Sequence, residues 1–156
     1  MNETRERYVR GAHTVLDLQY HFVWKTKYSH KVLSGDIALR LRDLLREICA
    51  QKKMTILRGN IRPDYVHVLL RAPSHLSPAK IAQYLKGHTA HSMLREFGGL
   101  KKKYWGCHLW GKGYFCSTVV AVTEEIVKKY IEDQRDEDSS FKVWDEKKDL
   151  SSVGGP

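Results

Sequence analysis

Residues 62–71 read RPDYVHVLLR. In this run Val66, Val68 and Leu70 are aliphatic and lie two residues apart. Side chains two residues apart on a β-strand point to the same face of the sheet. The alternation therefore predicts a strand with one apolar face and one mixed face. The apolar face packs into the core through Val66, Val68 and Leu70. The opposite face carries Tyr65, His67, Leu69 and Arg71.

His67 is the residue of this strand that is best suited to chemistry. Neutral imidazole is a good ligand for divalent metal ions, and a strand fixes the direction in which the ring points. A second ligand two residues away would complete a compact metal-binding pattern, and that position holds Tyr65. One histidine is too little for a metal site, so a His–Tyr pair on an ordinary strand surface is the more common interpretation of these residues alone.

The flanking sequence predicts the other elements of an α+β fold, because short alternating runs favour strands and apolar residues at helical spacing favour helices. The predicted elements are strands at 15–28, 54–58, 64–71 and 114–121, and helices at 36–53, 77–97 (with Gly87 as a candidate break) and 123–136. Residues 98–113, rich in Gly, Lys and aromatics, are expected to be an exposed loop. The order is that of a ferredoxin-like (RRM-like) antiparallel sheet with helices on one face, followed by a C-terminal helix.

Length and composition favour one basic domain. The chain has 156 residues and a formal net charge of +9. We expect residues 1–136 to form the domain and the polar residues 137–156 to form a flexible tail. The tail has three Lys and five acidic residues, which leaves 24 basic against 13 acidic side chains before it. That balance predicts a polyanionic partner, although charge alone does not distinguish nucleic acid from another anion.

Several classes of protein are disfavoured by the same sequence. The three cysteines, Cys49, Cys107 and Cys116, are odd in number and fit neither a disulfide framework nor a common zinc spacing. The polar N-terminus, MNETRERYVRGAH, does not resemble a secretory signal, and no apolar run is long enough for a membrane helix. We therefore expect a cytoplasmic, nucleoid-associated protein.

The last predicted helix contains a second candidate for chemistry. Ile126, Tyr130 and Gln134 are spaced i, i+4 and i+8, so they form one stripe. A tyrosine hydroxyl can attack phosphorus covalently, but a pKa of about 10 makes it weak near neutral pH unless a metal or base activates it. The amide oxygen of Gln134 suits a hard cation such as Mg²⁺ or Mn²⁺. Core packing by such a stripe is the alternative interpretation.

Five runs in this order resemble one known family. They are QYHFVWKTKYSHKVLSGD (19–36), RPDYVHVLL (62–70), QYLKGHTAHSML (83–94), LWGKGYFCSTV (109–119) and VKKYIEDQ (127–134). Together they are similar to the TnpA-type single-tyrosine transposases of small bacterial insertion sequences, which belong to the HUH superfamily. The similarity covers roughly residues 12–136, and several motifs in one order make it specific.

The resemblance implies a role for each motif. The histidine–hydrophobic–histidine motif falls on Tyr65, Val66 and His67, the nucleophile on Tyr130, and the amide that completes the metal site on Gln134. It implies a homodimer with the active site completed in trans, and single-stranded DNA with a hairpin at the element's ends as the substrate. It also implies a 5′-phosphotyrosine intermediate, a divalent metal (Mg²⁺ or Mn²⁺) and no nucleotide cofactor, which agrees with the absence of a phosphate-binding Walker motif from the sequence.

Three positions depart from the family pattern. Tyr65 stands where the family has histidine, Val120 where it has glycine, and Ser29 where arginine is usual. A neutral phenol is a poor substitute for imidazole, so we expect a weakened metal site and slow or absent cleavage. The departures are compatible with a decaying copy or with a deliberate change that traps a complex. A catalytically inactive hairpin-binding protein or repressor is therefore the alternative function, ahead of an RNA-recognition module, whose signature is absent.

Basic residues interleaved with aromatics predict the DNA-binding surface, because amines contact phosphates while rings stack on bases. In the loop expected at 98–113, the lysines are followed by Tyr104, Trp105 and Trp110. Any single lysine is equally well explained as a solvated surface residue. The predicted DNA-binding residues are Lys25, Lys27, Lys31, Arg58, Arg62, Lys86, Lys101, Lys102 and Lys103.

Overall fold

The computed structural model of the chain describes residues 9–10, 15–106 and 108–119. The strands are β1 (Val9–Arg10), β2 (Val15–Leu16), β3 (Leu18–Lys25), β4 (Thr55–Arg62), β5 (Tyr65–Ala72) and β6 (Phe115–Val119). The helices are α1 (Gly35–Gln51), α2 (Pro78–Glu96) and α3 (Gly98–Lys103), and a short 3₁₀ turn covers Lys27–Ser29. The predicted helix at 123–136, the tail, Val120 and Cys107 lie outside the described residues.

The main sheet has four antiparallel strands in the order β4-β5-β3-β6. Its two central strands, β3 and β5, are not consecutive in the chain, because α1 and β4 lie between them. With α1 and α2 as the connecting helices, this is the predicted ferredoxin-like order, and the prediction of an α+β fold of this class is confirmed. Strands β1 and β2 form a separate two-stranded pair.

The core lies between the sheet and helices α1 and α2. On β3 the alternation predicted from sequence buries Tyr20, Phe22 and Trp24, and on β5 it buries the aliphatic residues Val66, Val68 and Leu70. Burial of one such large side chain stabilises a fold by roughly 1.5–3 kcal/mol. The helices supply the other half of the core through Leu41, Leu44, Leu45, Ile48, Ile81, Leu85 and Met93. On the remaining face of the sheet, Gln19 is buried, whereas His21, His67 and Arg71 are half-buried.

Helix α2 is continuous through Gly87, so the break suggested by that glycine does not occur. The helix begins with Ser77 as its N-cap, whose hydroxyl accepts a hydrogen bond from the Lys80 amide at 3.1 Å, and with Pro78 in its first turn. A glycine inside a helix costs only about 1 kcal/mol relative to alanine. The buried residues on either side of it, Leu85 and Thr89, hold the helix together across this position.

The prediction that residues 98–113 form an exposed loop is wrong, because the segment contains a helix and buried side chains. Residues 98–103 form helix α3, and among the described residues of the segment four side chains are buried: Leu100, Tyr104, Leu109 and Trp110. Backbone hydrogen bonds tie the segment to the end of β3, with Lys27 N donating to Leu109 O at 2.8 Å and Gly111 N donating to Lys25 O at 2.9 Å. The aromatic residues read as DNA-stacking groups are thus largely core residues. Among the described residues, no helix is long and apolar enough to cross a membrane.

Thr89 joins the segment to α2 through one buried hydrogen bond. The Trp110 indole N–H donates to the Thr89 hydroxyl at 2.9 Å, and that hydroxyl donates to Leu85 O at 2.6 Å. We predict that Thr89→Val lowers the free energy of unfolding by about 1–3 kcal/mol, because it leaves a buried indole donor without an acceptor. Urea denaturation measures the change. The same substitution at exposed Thr55 should have little effect, and equal losses at the two sites would contradict the prediction.

Candidate metal centre and nucleic-acid interface

The site is built on the polar face of the sheet, opposite the helices. The register of β5 with β3 pairs His67 with Val23 and Leu69 with His21. The register of β4 with β5 places Asn60 directly across from His67. Because paired residues in an antiparallel sheet share a face, His67, Asn60 and His21 all lie on this surface. His21 and His67 are therefore diagonal neighbours on adjacent strands.

The two histidine rings are in direct contact. His21 Nδ1 lies 3.0 Å from His67 Nε2, and the ring centroids are 5.1 Å apart with an angle of 38° between the planes. One nitrogen of this pair donates its N–H and the other accepts, and the direction depends on the tautomers. In the described part of the chain, no group of three or more His, Cys, Asp or Glu residues could hold a metal ion.

Tyr65 lies two residues before His67 on the same face and is half-buried. Its cross-strand neighbours are both basic, Lys25 on β3 and Arg62 on β4. The position predicted for the first histidine of the motif is thus held by a phenol flanked by two exposed cations. Tyr130 and Gln134, the predicted nucleophile and third metal ligand, lie outside the described residues, so their distance from His67 stays a prediction.

Most predicted DNA-binding residues are exposed at two locations. Arg58 and Arg62 project from β4 on the same face as His67, with Lys25 and Lys31 near the end of β3. Helix α3 carries Lys101, Lys102 and Lys103, all exposed. Lys27 is half-buried, and its ammonium lies 5.3 Å from the centre of the Tyr28 ring.

Lys86 has a different environment from the other predicted cations. Its ammonium donates to three backbone carbonyls, Gly111 O at 2.8 Å, Lys112 O at 3.2 Å and Gly113 O at 3.1 Å. An ammonium has three N–H donors, so these contacts satisfy it within the protein. Burial lowers the pKa of Lys86 from its ordinary value. In this structure the residue holds the loop between Trp110 and β6.

The aromatic residues predicted to stack on bases differ in accessibility. Trp105 is 91% exposed, whereas Tyr104 and Trp110 are only 4% and 6% exposed. Stacking by the latter two rings is therefore a wrong prediction, because both are needed in the core. Tyr28, which was not predicted to stack on bases, is 74% exposed. It lies in a turn where Tyr28 and Ser29 both have positive φ.

A groove along α2 is the feature that sequence reasoning missed. Two adjoining cavities of about 330 and 430 Å³ share Gly87 and Ala90 in their walls. We call them together the basic groove. Where the structure describes their walls, the side chains include no acidic residue, and the charged or titratable ones are Lys27, Lys86, His91, Arg95, Lys101, His108 and Lys112.

Helical spacing could have revealed part of this groove. Gly87, His91 and Arg95 are separated by four residues each, so they share one stripe of α2. A Cβ added at Gly87 would meet nothing within 4 Å, so the glycine leaves the groove open. His108 and Lys112 reach the groove only because their segment folds back onto α2, which no local pattern in the sequence predicts.

Comparison with known proteins assigns the chain to a family. The family model described as "Transposase IS200 like" matches residues 14–134. The chain therefore belongs to the IS200-like transposases, as the quoted motifs predicted, and its function lies in DNA transposition by a small insertion sequence. A relative, the ISDra2 transposase TnpA of Deinococcus radiodurans, is 38% identical over 129 residues, covering 83% of this chain and 92% of the relative. The transposase of insertion sequence IS200 from Salmonella typhimurium is 34% identical over 127 residues, covering 81% and 83%.

Solved structures agree with this assignment. A crystal structure from D. radiodurans R1, described as a transposase, superposes with a TM-score of 0.67 at 37% identity and covers 81% of this chain and 97% of that one. A REP-associated tyrosine transposase bound to a REP hairpin superposes with a TM-score of 0.51 at 16% identity, covering 86% and 74%. The second likeness shows the common fold.

Proposed function

We propose that this protein is a metal-dependent transposase that cuts and rejoins single-stranded DNA at insertion-sequence ends, through a 5′-phosphotyrosine intermediate on Tyr130. The observation that carries the proposal is His67, which projects from the open face of a ferredoxin-like sheet with a second imidazole 3.0 Å away. The matched motifs and the related transposases support the same reaction class. The roles of Tyr130 and Gln134 are assigned from their positions in the motif VKKYIEDQ.

The chemistry needs few protein groups. The Tyr130 hydroxyl attacks the scissile phosphorus, a P–O bond forms to the tyrosine, and the bond to the 3′ oxygen breaks. The Tyr130 hydroxyl gives up its proton, the 3′ oxygen gains one and leaves as a hydroxyl, so that no net proton is consumed, and the 5′ phosphate stays on the enzyme. A 3′-OH can reverse the step and release Tyr130, so the bond energy is conserved and no nucleotide cofactor is required.

A divalent cation, Mg²⁺ or Mn²⁺, fits the residues at this site. His67 would hold it from the sheet, and Gln134 would offer an amide oxygen, a donor that hard cations accept. When bound, such an ion polarises the phosphate and lowers the barrier to attack by a tyrosine that is otherwise protonated near neutral pH. In the proposed homodimer, the tyrosine helix of one subunit serves the metal site of its partner.

DNA binding is assigned to the basic groove together with the exposed cations on β4 and α3. A groove lined by cations follows a phosphate backbone, and the exposed Trp105 and Tyr28 add surfaces of the kind on which bases stack. The proposed substrate is single-stranded DNA that carries a hairpin. Because Lys86 already donates to three carbonyls, we place it in the groove wall, where its positive charge still contributes.

The groove can be closed without damage to the fold. We predict that Gly87→Leu weakens hairpin DNA binding roughly tenfold, because the new side chain fills space that a contacted base or phosphate would need. Thermal stability should rise, since leucine favours a helix by about 1 kcal/mol over glycine. Fluorescence anisotropy and thermal melting measure the two effects.

Gly87→Ala is the matched control for that substitution. It brings the same gain in helix propensity with a side chain too small to fill the groove, so DNA affinity should stay close to that of the unaltered protein. Unchanged hairpin affinity in Gly87→Leu would place the DNA elsewhere on the protein.

The nucleophile is tested by trapping the covalent product. Incubation with hairpin-bearing single-stranded DNA labelled 3′ of the cut, with Mn²⁺ or Mg²⁺, should give a protein–DNA adduct that survives a denaturing gel. We predict that Tyr130→Phe abolishes the adduct and leaves hairpin affinity unchanged, since phosphate contacts do not need the hydroxyl. Tyr114→Phe, at an exposed tyrosine, is the control. An adduct of normal yield from Tyr130→Phe would remove Tyr130 from the mechanism.

Tyr65 is expected to limit the rate of this reaction. Even changes to groups that only orient a metal ligand typically cost ~10–100-fold in affinity or activity. We therefore predict that Tyr65→His accelerates cleavage at least tenfold, measured by single-turnover assays at saturating metal. Equal rates for the two proteins would show that the phenol is harmless.

Tyr65 also favours a second candidate function, a hairpin-binding protein or repressor that has lost its chemistry. Such a protein would still bind the hairpin, with an affinity that falls as salt rises, because phosphate contacts do not need the metal. It would form no adduct even after Tyr65→His, which separates it from a slow transposase.

A further inference from the structure

The ring of His21 is a titratable group in direct contact with His67, and the proposed reaction does not yet use it. Its strand neighbours explain why it points there. The core residues Tyr20 and Phe22 lie on either side of it in the chain, so the alternation of β3 turns His21 to the open face. Across the sheet it is paired with Leu69 on β5 and Ser117 on β6, which places it on the side of His67 away from Tyr65.

The spacing of the two imidazoles is that of two ligands on one ion. Two nitrogens bound to a divalent cation at about 2.1 Å each, and at roughly a right angle, are about 3 Å apart. His21 Nδ1 and His67 Nε2 are 3.0 Å apart. In the tautomers that leave both of these nitrogens unprotonated, their lone pairs could bind a shared cation in place of the hydrogen bond. Both rings are only half-buried, so an ion can approach from the open face.

The 3.0 Å spacing matters because the motif of this chain has a tyrosine at one of its two histidine positions. With a phenol at position 65, the motif supplies one imidazole where its relatives' pattern supplies two. We propose that His21 is a metal ligand in this protein, and that the His21–His67 pair on two strands compensates in part for the histidine missing at position 65. The assignment rests on the proposed metal-dependent function. It identifies a second imidazole donor beside His67.

A competing role for His21 is to orient His67 through the hydrogen bond without touching the ion. Loss of an orienting group also lowers metal affinity. The number of histidine nitrogens bound directly to the ion therefore has to be measured. The experiment uses the full chain without DNA, titrated with Mn²⁺, and records binding and the hyperfine couplings of ¹⁵N-labelled histidine by pulsed electron paramagnetic resonance.

If His21 is a ligand, the unaltered protein shows two directly bound histidine nitrogens. His21→Ala shows one and binds Mn²⁺ at least tenfold more weakly. The double variant Tyr65→His with His21→Ala regains two nitrogens and the lost affinity, which a folding defect could not produce. His75→Ala, at an exposed histidine in the turn after β5, is the matched control. It should change neither the number of bound histidine nitrogens nor the Mn²⁺ affinity.

Three outcomes overturn the assignment. A single bound histidine nitrogen in the unaltered protein, or two in His21→Ala, leaves His21 as an orienting residue at most. Equal Mn²⁺ affinity in His21→Ala and the unaltered protein excludes both roles, while adduct formation on Tyr130 would still support the proposed function. Absence of Mn²⁺ binding in every variant, including Tyr65→His, overturns the ligand assignment together with the proposed metal dependence.

Discussion

The antiparallel pairing of β3 with β5 is the constraint on which the rest of the structure depends. Eight residues of each strand are in register, from Leu18 opposite Ala72 to Lys25 opposite Tyr65. The side-chain period of a strand is two, so a slip of one residue would turn every side chain to the other face. It would expose Phe22 and Trp24 to water and bury the histidines of the open face. Core formation and the position of the candidate metal centre are therefore fixed by the same hydrogen-bond ladder.

The parts of the fold that sequence predicted are those in which local pattern and tertiary burial agree. The alternation in β3 and β5 and the helical spacing in α1 survive because each element buries the face that its own residues mark as apolar. The predictions failed where composition suggested one environment and tertiary contacts gave another. Gly87 suggested a break, but packing on both sides carries α2 through it. Lysines and glycines around Tyr104 and Trp110 suggested a loop, although both rings are core residues.

The motif residues of the candidate site could be predicted from sequence, but the residues that surround them in the fold could not. His67 and Tyr65 could be found from the spacing within one strand and from resemblance to a family. The contact between His67 and His21 joins residues 46 apart in sequence and follows only from the strand register. The basic groove has the same origin, because His108 and Lys112 reach α2 through the hydrogen bonds that anchor their segment. Tyr130 and Gln134 remain predictions from the motif.

Strand β3 also joins the two halves of the proposed machinery. Its middle carries His21 at the candidate metal centre. Its last residue, Lys25, and Lys27 just beyond it hold, through backbone hydrogen bonds, the segment that forms one wall of the basic groove. A strand hydrogen-bonded on both sides neither stretches nor bends easily. If a DNA hairpin occupies the groove, this strand sets the distance between the hairpin and the bond to be cut. That distance would then limit the number of nucleotides that can lie between the hairpin and the cut.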